Sequence, residues 1–320
     1  MTGPGTADPG TRVLVTGAAG YIGRQVATRL AARHPVVGID ITVPDDLDAA
    51  VDMRRLDIRD PSLPDLVADE AITHVVHLAA VLDGNVDADL AHDIDVHGTA
   101  NVLTACVAGR VRHLVVTSSG AAYGYHADNP IPLTEEDPLR GNASFPYSHH
   151  KRQVEELLAA ARDEHPDLGQ LVLRVGTVLG TGTDNLITDL LTRRVLPTVA
   201  GARAGFVFIW DTDLADIITR GVEESRTGTF NVAGSGSVSM REVARALGGT
   251  AVPIPAAVLR AALALARRVG LSQYGPEQVD FLAHRPVLDN RRLVEEFPHT
   301  PTKTSAEALA AFAAARAAHS

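Results

Sequence analysis

Short β-branched and aliphatic runs alternate with amphipathic stretches through the first half of the chain. The runs at 12–16, 36–40, 54–57, 73–78, 113–118 and 170–174 read as strands. Apolar positions at helical spacing predict helices over 21–33, 62–68, 88–108 and 147–164. The strands are apolar on both faces and separated by helices, which implies a parallel sheet covered on both sides. Right-handed crossovers make that a doubly wound, Rossmann-type α/β fold.

After residue 176 the rhythm weakens. Strands at 205–209 and 229–232 look isolated, and helices are predicted over 211–224, 239–247, 255–269 and 305–318. The organisation read from this is a flexible lead-in (1–10), a dinucleotide-binding domain (11–176) and a smaller, irregular C-terminal substrate lobe (177–320). The lobe is intertwined with the sheet domain, since no linker separates them.

The 320 residues include 45% apolar and 21% charged side chains, the balance of a soluble globular protein. The net charge of −10 makes nucleic acid an unsuitable partner. Cys106 is the only cysteine, so no internal disulfide forms and a reducing, cytoplasmic location is expected. The first ten residues lack the pattern of a signal peptide. The apolar stretch 254–269 contains Pro255, Arg260, Arg267 and Arg268 and is too short to span a bilayer. Core packing is expected for it in preference to an interfacial helix, and no membrane partner is expected.

The chemistry begins after the first strand. In Thr16-Gly17-Ala-Ala-Gly20-Tyr21-Ile22-Gly23, Gly17 suits a tight turn and Gly20 lets backbone approach a pyrophosphate. Gly23 allows close helix–strand packing, and the helix start offers free N–H groups to phosphate. Asp40 ends the second strand, seventeen residues past Gly23. A carboxylate there accepts hydrogen bonds from an adenosine ribose and repels a 2′-phosphate, which favours NAD over NADP. Asp57 and Ile58 are candidates for the adenine amino group and ring. Leu78, Ala79 and Ala80 let a cofactor lie against the end of the fourth strand.

Tyr147 and Lys151 are four residues apart, one turn on the same helix face. An ammonium beside a phenol favours phenolate, which makes a candidate proton-transfer group. His126 is a candidate pocket residue. The other histidines lack ligand spacing, so no metal is expected. His149 and His150 are expected to face solvent or a partner.

These motifs, with His77-Leu-Ala-Ala80 and Thr117-Ser-Ser119 between them, occur in the order seen in extended short-chain dehydrogenases/reductases. Within these the chain resembles the NAD-dependent epimerase/dehydratase family, which includes nucleotide-sugar 4-epimerases. The resemblance implies that Tyr147 is the catalytic acid/base and that Lys151 is its partner and holds the nicotinamide ribose. It implies that Ser119 hydrogen-bonds the reacting oxygen. It further implies a nucleotide sugar as substrate and a homodimer paired through 88–108 and 147–164. The second of these carries the apolar stripe Val154, Leu157, Leu158 and Ala161, part of which packing on the chain's own sheet must also use. The dehydratases of the family carry an Asp-Glu pair where this chain has Ala121 and Ala122, which argues against dehydration. The stretch Phe206-Val-Phe208-Ile-Trp210 also departs from the family pattern. A pocket lined by these aromatics would suit the alternative, an NAD(H)-dependent ketoreductase or alcohol dehydrogenase of secondary metabolism acting on a non-nucleotide substrate. The aromatics as lobe core are an equal expectation.

Overall fold

The computed structural model describes residues 10–44, 46–82, 86–184, 186–271, 275–297 and 299–318. The expected lead-in lies outside these apart from Gly10. β1 (Val13–Thr16), α1 (Tyr21–Ala31), β2 (Val36–Asp40), β3 (Val51–Arg55), α2 (Leu63–Asp69) and β4 (His74–His77) come first. α3 (Ala88–His92), a π-helical turn (Asp93–His97) and α4 (Gly98–Ala108) then follow without a break. β5 (His113–Ser119) leads through a 3₁₀ turn (Gly120–Tyr123) towards α5 (Pro146–Glu164) and β6 (Gly169–Val175).

The second part comprises β7 (Thr177–Leu179), α6 (Leu186–Leu191), β8 (Val195–Val199), β9 (Phe208–Trp210), α7 (Asp211–Glu223) and β10 (Gly228–Val232). After these come α8 (Met240–Ala246), β11 (Thr250–Ile254), α9 (Ala256–Arg268), α10 (Gln278–His284), α11 (Arg291–Glu296) and α12 (Ser305–Ala318).

Seven strands form one parallel sheet in the order β10-β6-β5-β4-β1-β2-β3. Alternate side chains of β1 serve opposite faces. Val13 and Val15 pack with Val26, Leu30, Leu214 and Ile218 of α1 and α7. Leu14 joins Leu63, Val102, Val154 and Leu158 of α2, α4 and α5 on the other side. The period of two is what lets one strand feed two cores. Strand order reverses direction at β1, so a crevice opens beyond the C-terminal ends of β1 and β4.

Several sequence-based expectations change. The stretch 229–232 is not isolated: β10 pairs in parallel with β6 as the sheet's edge. β3 begins at Val51, because register with β2 pairs Val36 with Val51. The strand expected at 205–209 runs from Phe208 to Trp210 and pairs with β7, while β8 pairs with β11. Phe206, Phe208 and Trp210 are buried together with Leu309 and Phe312 as lobe core. The stripe on α5 turns to the chain's own sheet, with Val154 2% and Leu158 0% exposed. Finally, α9 is not a core helix: Leu259 is its only fully buried side chain. No helix among the described residues is long and apolar enough to cross a membrane.

Candidate active site

The loop between β1 and α1 is shaped by its glycines. Gly17 has φ of +70°, and a Cβ there would lie 2.8 Å from the Ala79 nitrogen. A Cβ on Gly23 would lie 2.0 Å from the Gly17 carbonyl oxygen, so helix and loop meet in direct backbone contact. The Gly20 amide donates to the Gly17 carbonyl at 3.0 Å and closes the turn. α1 begins with no side-chain cap and no acid in its first turn, so its leading amides stay open to an anion. These features fit the pyrophosphate of a dinucleotide.

Asp40 sits alongside. Its Oδ2 accepts the Ala19 amide at 3.1 Å and its Oδ1 accepts the Thr42 amide at 3.2 Å. The carboxylate thus braces the glycine loop at the tip of β2. Tyr21 turns its hydroxyl to Asp211 at the start of α7, and Ile22 packs into the core beneath. Asp57 is held by Arg59, which lowers its carboxyl below the usual range, and Arg59 also binds Asp93. Ile58 is 5% exposed and packs in the core, so close to Gly98 that a Cβ there would sit 2.5 Å away. Leu78, Ala79 and Ala80 are half-buried at the end of β4.

Tyr147 and Lys151 occupy the first turns of α5. Lys151 Nζ stands 5.8 Å from the Tyr147 ring centroid and donates to the Thr117 carbonyl at 3.3 Å. Ser119 ends β5, and its Oγ accepts the Ala121 amide at 3.1 Å. Ser118 is committed elsewhere, donating to Glu155 Oε1 at 2.5 Å in a buried pair with Arg174. That leaves Ser119 as the available hydroxyl of the two.

Three supporting groups escape a reading by motif. Ser148 donates to the Ala121 carbonyl at 2.7 Å and accepts the Asn142 amide at 3.0 Å, tying the start of α5 to the turn after Ser119. Asp95, in the π-helical turn, is 3% exposed. It accepts the Val81 amide at 2.8 Å and faces His150 Nδ1 at 3.3 Å. His150 is therefore buried, contrary to the solvent-facing expectation, because its ring closes the gap between α5 and this turn. Burial lowers its pKa against the opposing pull of Asp95. Asp95 falls in phase with Ala91, Thr99 and Val102, so a carboxylate on a buried stripe was the available signal.

His77 bridges the hydroxyls of Thr16 at 2.8 Å and Thr99 at 3.0 Å. Burial, reinforced by the charge of Lys151, pushes its pKa down to about 3, so it is neutral in the folded protein.

Arg285 is the remaining surprise. It follows α10, is 6% exposed, and stacks 3.6 Å from the Phe206 ring centroid. Its Nη2 donates to the Leu282 carbonyl, but its Nε and Nη1 have no hydrogen-bond partner among the described residues. Burial pushes it down to about 9, still a cation at neutral pH. A cavity of 270 Å³ adjoins it, lined also by His126, Asn129 and Arg203. His126 Nε2 is buried and lacks a partner as well. Tyr125, Phe145 and Phe281 form an aromatic group with ring centroids 4.9–6.0 Å apart, and Arg285 stands 5.1 Å from the Phe281 ring. No cluster suited to a metal ion occurs among the described residues.

Residues 13–233 match the NAD dependent epimerase/dehydratase family. An uncharacterized protein of Mycobacterium tuberculosis is 26% identical over 309 residues, covering 93% of this chain and 82% of that protein. UDP-glucose 4-epimerase of Lactobacillus helveticus is 32% identical over 190 residues, 56% of this chain and 55% of that one. Among solved structures, the Thermus thermophilus UDP-glucose 4-epimerase complex with NAD superposes with a TM-score of 0.74 at 24% identity, covering 95% and 98% of the two chains. The Thermotoga maritima UDP-glucose 4-epimerase with UDP-glucose gives 0.74 at 17%, covering 97% and 99%. At these identities the structural matches establish the shared fold.

Proposed function

The chain belongs to the NAD-dependent epimerase/dehydratase family, and on that premise we propose that it epimerises a nucleotide sugar with NAD held throughout the cycle. The family's cofactor matches the open amides of α1 and the bare backbone at Gly17 and Gly23. Bound NAD supplies a reversible hydride acceptor. Tyr147 takes the proton from the substrate hydroxyl as the carbonyl forms, and returns it after the ketone turns its other face. Ser119 donates a hydrogen bond to the same oxygen. Lys151 holds the nicotinamide ribose and keeps positive charge beside the phenol. Gly17, Gly20, Tyr21, Ile22 and Gly23 form the pyrophosphate cradle, with Asp40 on the adenosine ribose. Asp57, Ile58 and Leu78–Ala80 flank the adenine and nicotinamide ends.

The observation that carries the nucleotide-sugar reading is Arg285. A buried guanidinium with two nitrogens unanswered and a cavity beside it is built for an anion. A sugar diphosphate supplies that charge. Arg285→Met should raise KM for UDP-glucose or a related nucleotide sugar about ten- to a hundredfold, the value of a charge-assisted hydrogen bond. It should leave NAD retention intact.

The aromatic group of Tyr125, Phe145 and Phe281 favours a second reading, NAD(H)-dependent oxidation or reduction of an apolar alcohol or ketone. Mass spectrometry of the denatured protein separates the two. Retained NAD with a nucleotide sugar supports epimerisation. Exchangeable cofactor with stoichiometric NADH change supports the second. We place the enzyme in the cytoplasm, in keeping with its buried, unpaired Cys106. A homodimer through α4 and α5 would use their outer faces, where Val107 and Ala160 are exposed, and sedimentation equilibrium tests it.

A further inference from the structure

α9 is apolar on two opposite sides, and the molecule covers one of them. Leu259, Ala256 and Leu263 pack against Val199, Val279 and Leu282. On the other side Val258, Ala261, Ala262, Leu265 and Val269 recur at spacings of three and four and face solvent. Val258, Leu265 and Val269 are 57%, 63% and 56% exposed, and Leu271 just beyond is 83% exposed. Val195 and Val252, on the face of the β8–β11 pair that carries Val199, are exposed as well. Six of the thirteen exposed large hydrophobic residues of the described chain therefore gather in this part of the lobe.

Charge separates this region from the rest. The segments 186–204 and 236–271, which carry β8, β11 and α9, hold eight arginines and two carboxylates, in a chain of net charge −10. Asp280 of α10 pairs with Arg260, and Glu277, just before α10, pairs with Arg267. Arg268, beside the stripe, has no ion-pair partner among the described residues. This part of the lobe is thus basic and apolar within an acidic molecule. Two-fold association through α9 would set one arginine-rich face against another, which like charge opposes. An anionic bilayer answers both features, taking apolar side chains between its headgroups and arginines at its surface. Thirteen residues of helix reach about 20 Å, enough to lie in the interface and too little to span.

We propose that α9 and its flanking arginines dock this protein on the surface of a membrane rich in anionic lipid. This departs from the sequence-based expectation of no membrane partner, which took the same stretch for core. The test is co-sedimentation of the full chain with phosphatidylcholine vesicles, with and without roughly one-third phosphatidylglycerol. Binding should require the anionic lipid, weaken with added salt, and fall about tenfold in Leu265→Glu and in Arg268→Glu. NAD content and thermal midpoint should stay at wild-type values in both variants, since neither residue touches the core or the site. Absence of binding to the anionic vesicles overturns the proposal, as does binding that Leu265→Glu leaves intact. Sedimentation equilibrium in the absence of lipid supplies the last check. A dimer that Leu265→Glu dissociates would mean that a second copy covers this face, and the proposal fails.

Discussion

At the scale of single residues, the proposed proton chemistry rests on Tyr147 and the electrostatics around it on buried neighbours. Tyr147→Phe removes the hydroxyl and keeps the ring, so turnover should fall about a hundredfold or more while NAD stays bound. Unchanged turnover would remove Tyr147 from the mechanism. His77 makes a different prediction. Its folded pKa is about 3 against an ordinary 6.5, so below pH 6.5 the unfolded chain takes a proton that the folded protein refuses. Stability from this group is complete above pH 6.5 and is lost as pH falls towards 3. His77→Gln keeps hydrogen-bonding capacity towards Thr16 and Thr99 and removes the proton site. The stability lost between pH 7 and pH 5 should then shrink by about 2 kcal/mol in denaturant titrations. An unaltered loss would show that His77 is not held neutral. His113 and His299 are also pushed down by burial, so part of the acid sensitivity persists. Gly17, Gly23, Asp40, Tyr147 and Lys151 were legible because each owes its place to a local element. Arg285, Asp95 and Ser148 were not, because their partners lie on other elements, and only tertiary packing makes a surface-type residue buried.

At the scale of elements, the apolar periodicity named the longer helices, passed over the short α6, α10 and α11, and left open which neighbour each helix faces. The stripe on α5 reads equally as a dimer seam or as sheet packing, since both want the same spacing. In the structure Val154 and Leu158 lie with Leu114 and Val172 of the sheet. Leu158→Ala should therefore cost about 2–5 kcal/mol of stability independent of protein concentration, measured by urea unfolding at two concentrations. A loss that appears only at low concentration would return the stripe to an interface. α9 shows the opposite error. Its leucines and alanines read as core, yet the helix has a neighbour on one side alone, and composition says nothing about the number of neighbours. Short strands such as β7 and β8 went unread, because three to five residues with Pro, Thr or Gly close by carry too little periodicity. β3 was misplaced for a related reason: Asp52, Arg54 and Arg55 give an edge strand no apolar run to recognise.

At the scale of the whole molecule, the sheet and the lobe share cores, and this sets what can be cut away. The family match ends at residue 233, which invites the view that the rest is an appendage. Packing argues otherwise. Leu293 and Phe297, both 0% exposed, lie in the same cluster as Val13, Val15 and Ile217 on one face of the main sheet. Phe297 meets Phe230 of β10 edge to face with ring centroids 5.5 Å apart. α12 contributes Leu309 and Phe312 to the cluster that buries Phe206 and Phe208, and Ser305 donates to the Gly234 carbonyl while accepting the Phe208 amide. Removing residues after 233 would expose these faces together, and each large buried side chain that loses its cover gives up roughly 1.5–3 kcal/mol. Against a typical net stability of about 5–15 kcal/mol, the losses exceed what a domain of this size holds in reserve. A chain ending at residue 233 should therefore be insoluble, or lack a cooperative thermal transition, even though it retains the glycine cradle, Ser119, Tyr147 and Lys151. A soluble fragment that melts cooperatively and retains NAD would show instead that the sheet domain folds alone. The lobe would then be a substrate cover rather than part of the core.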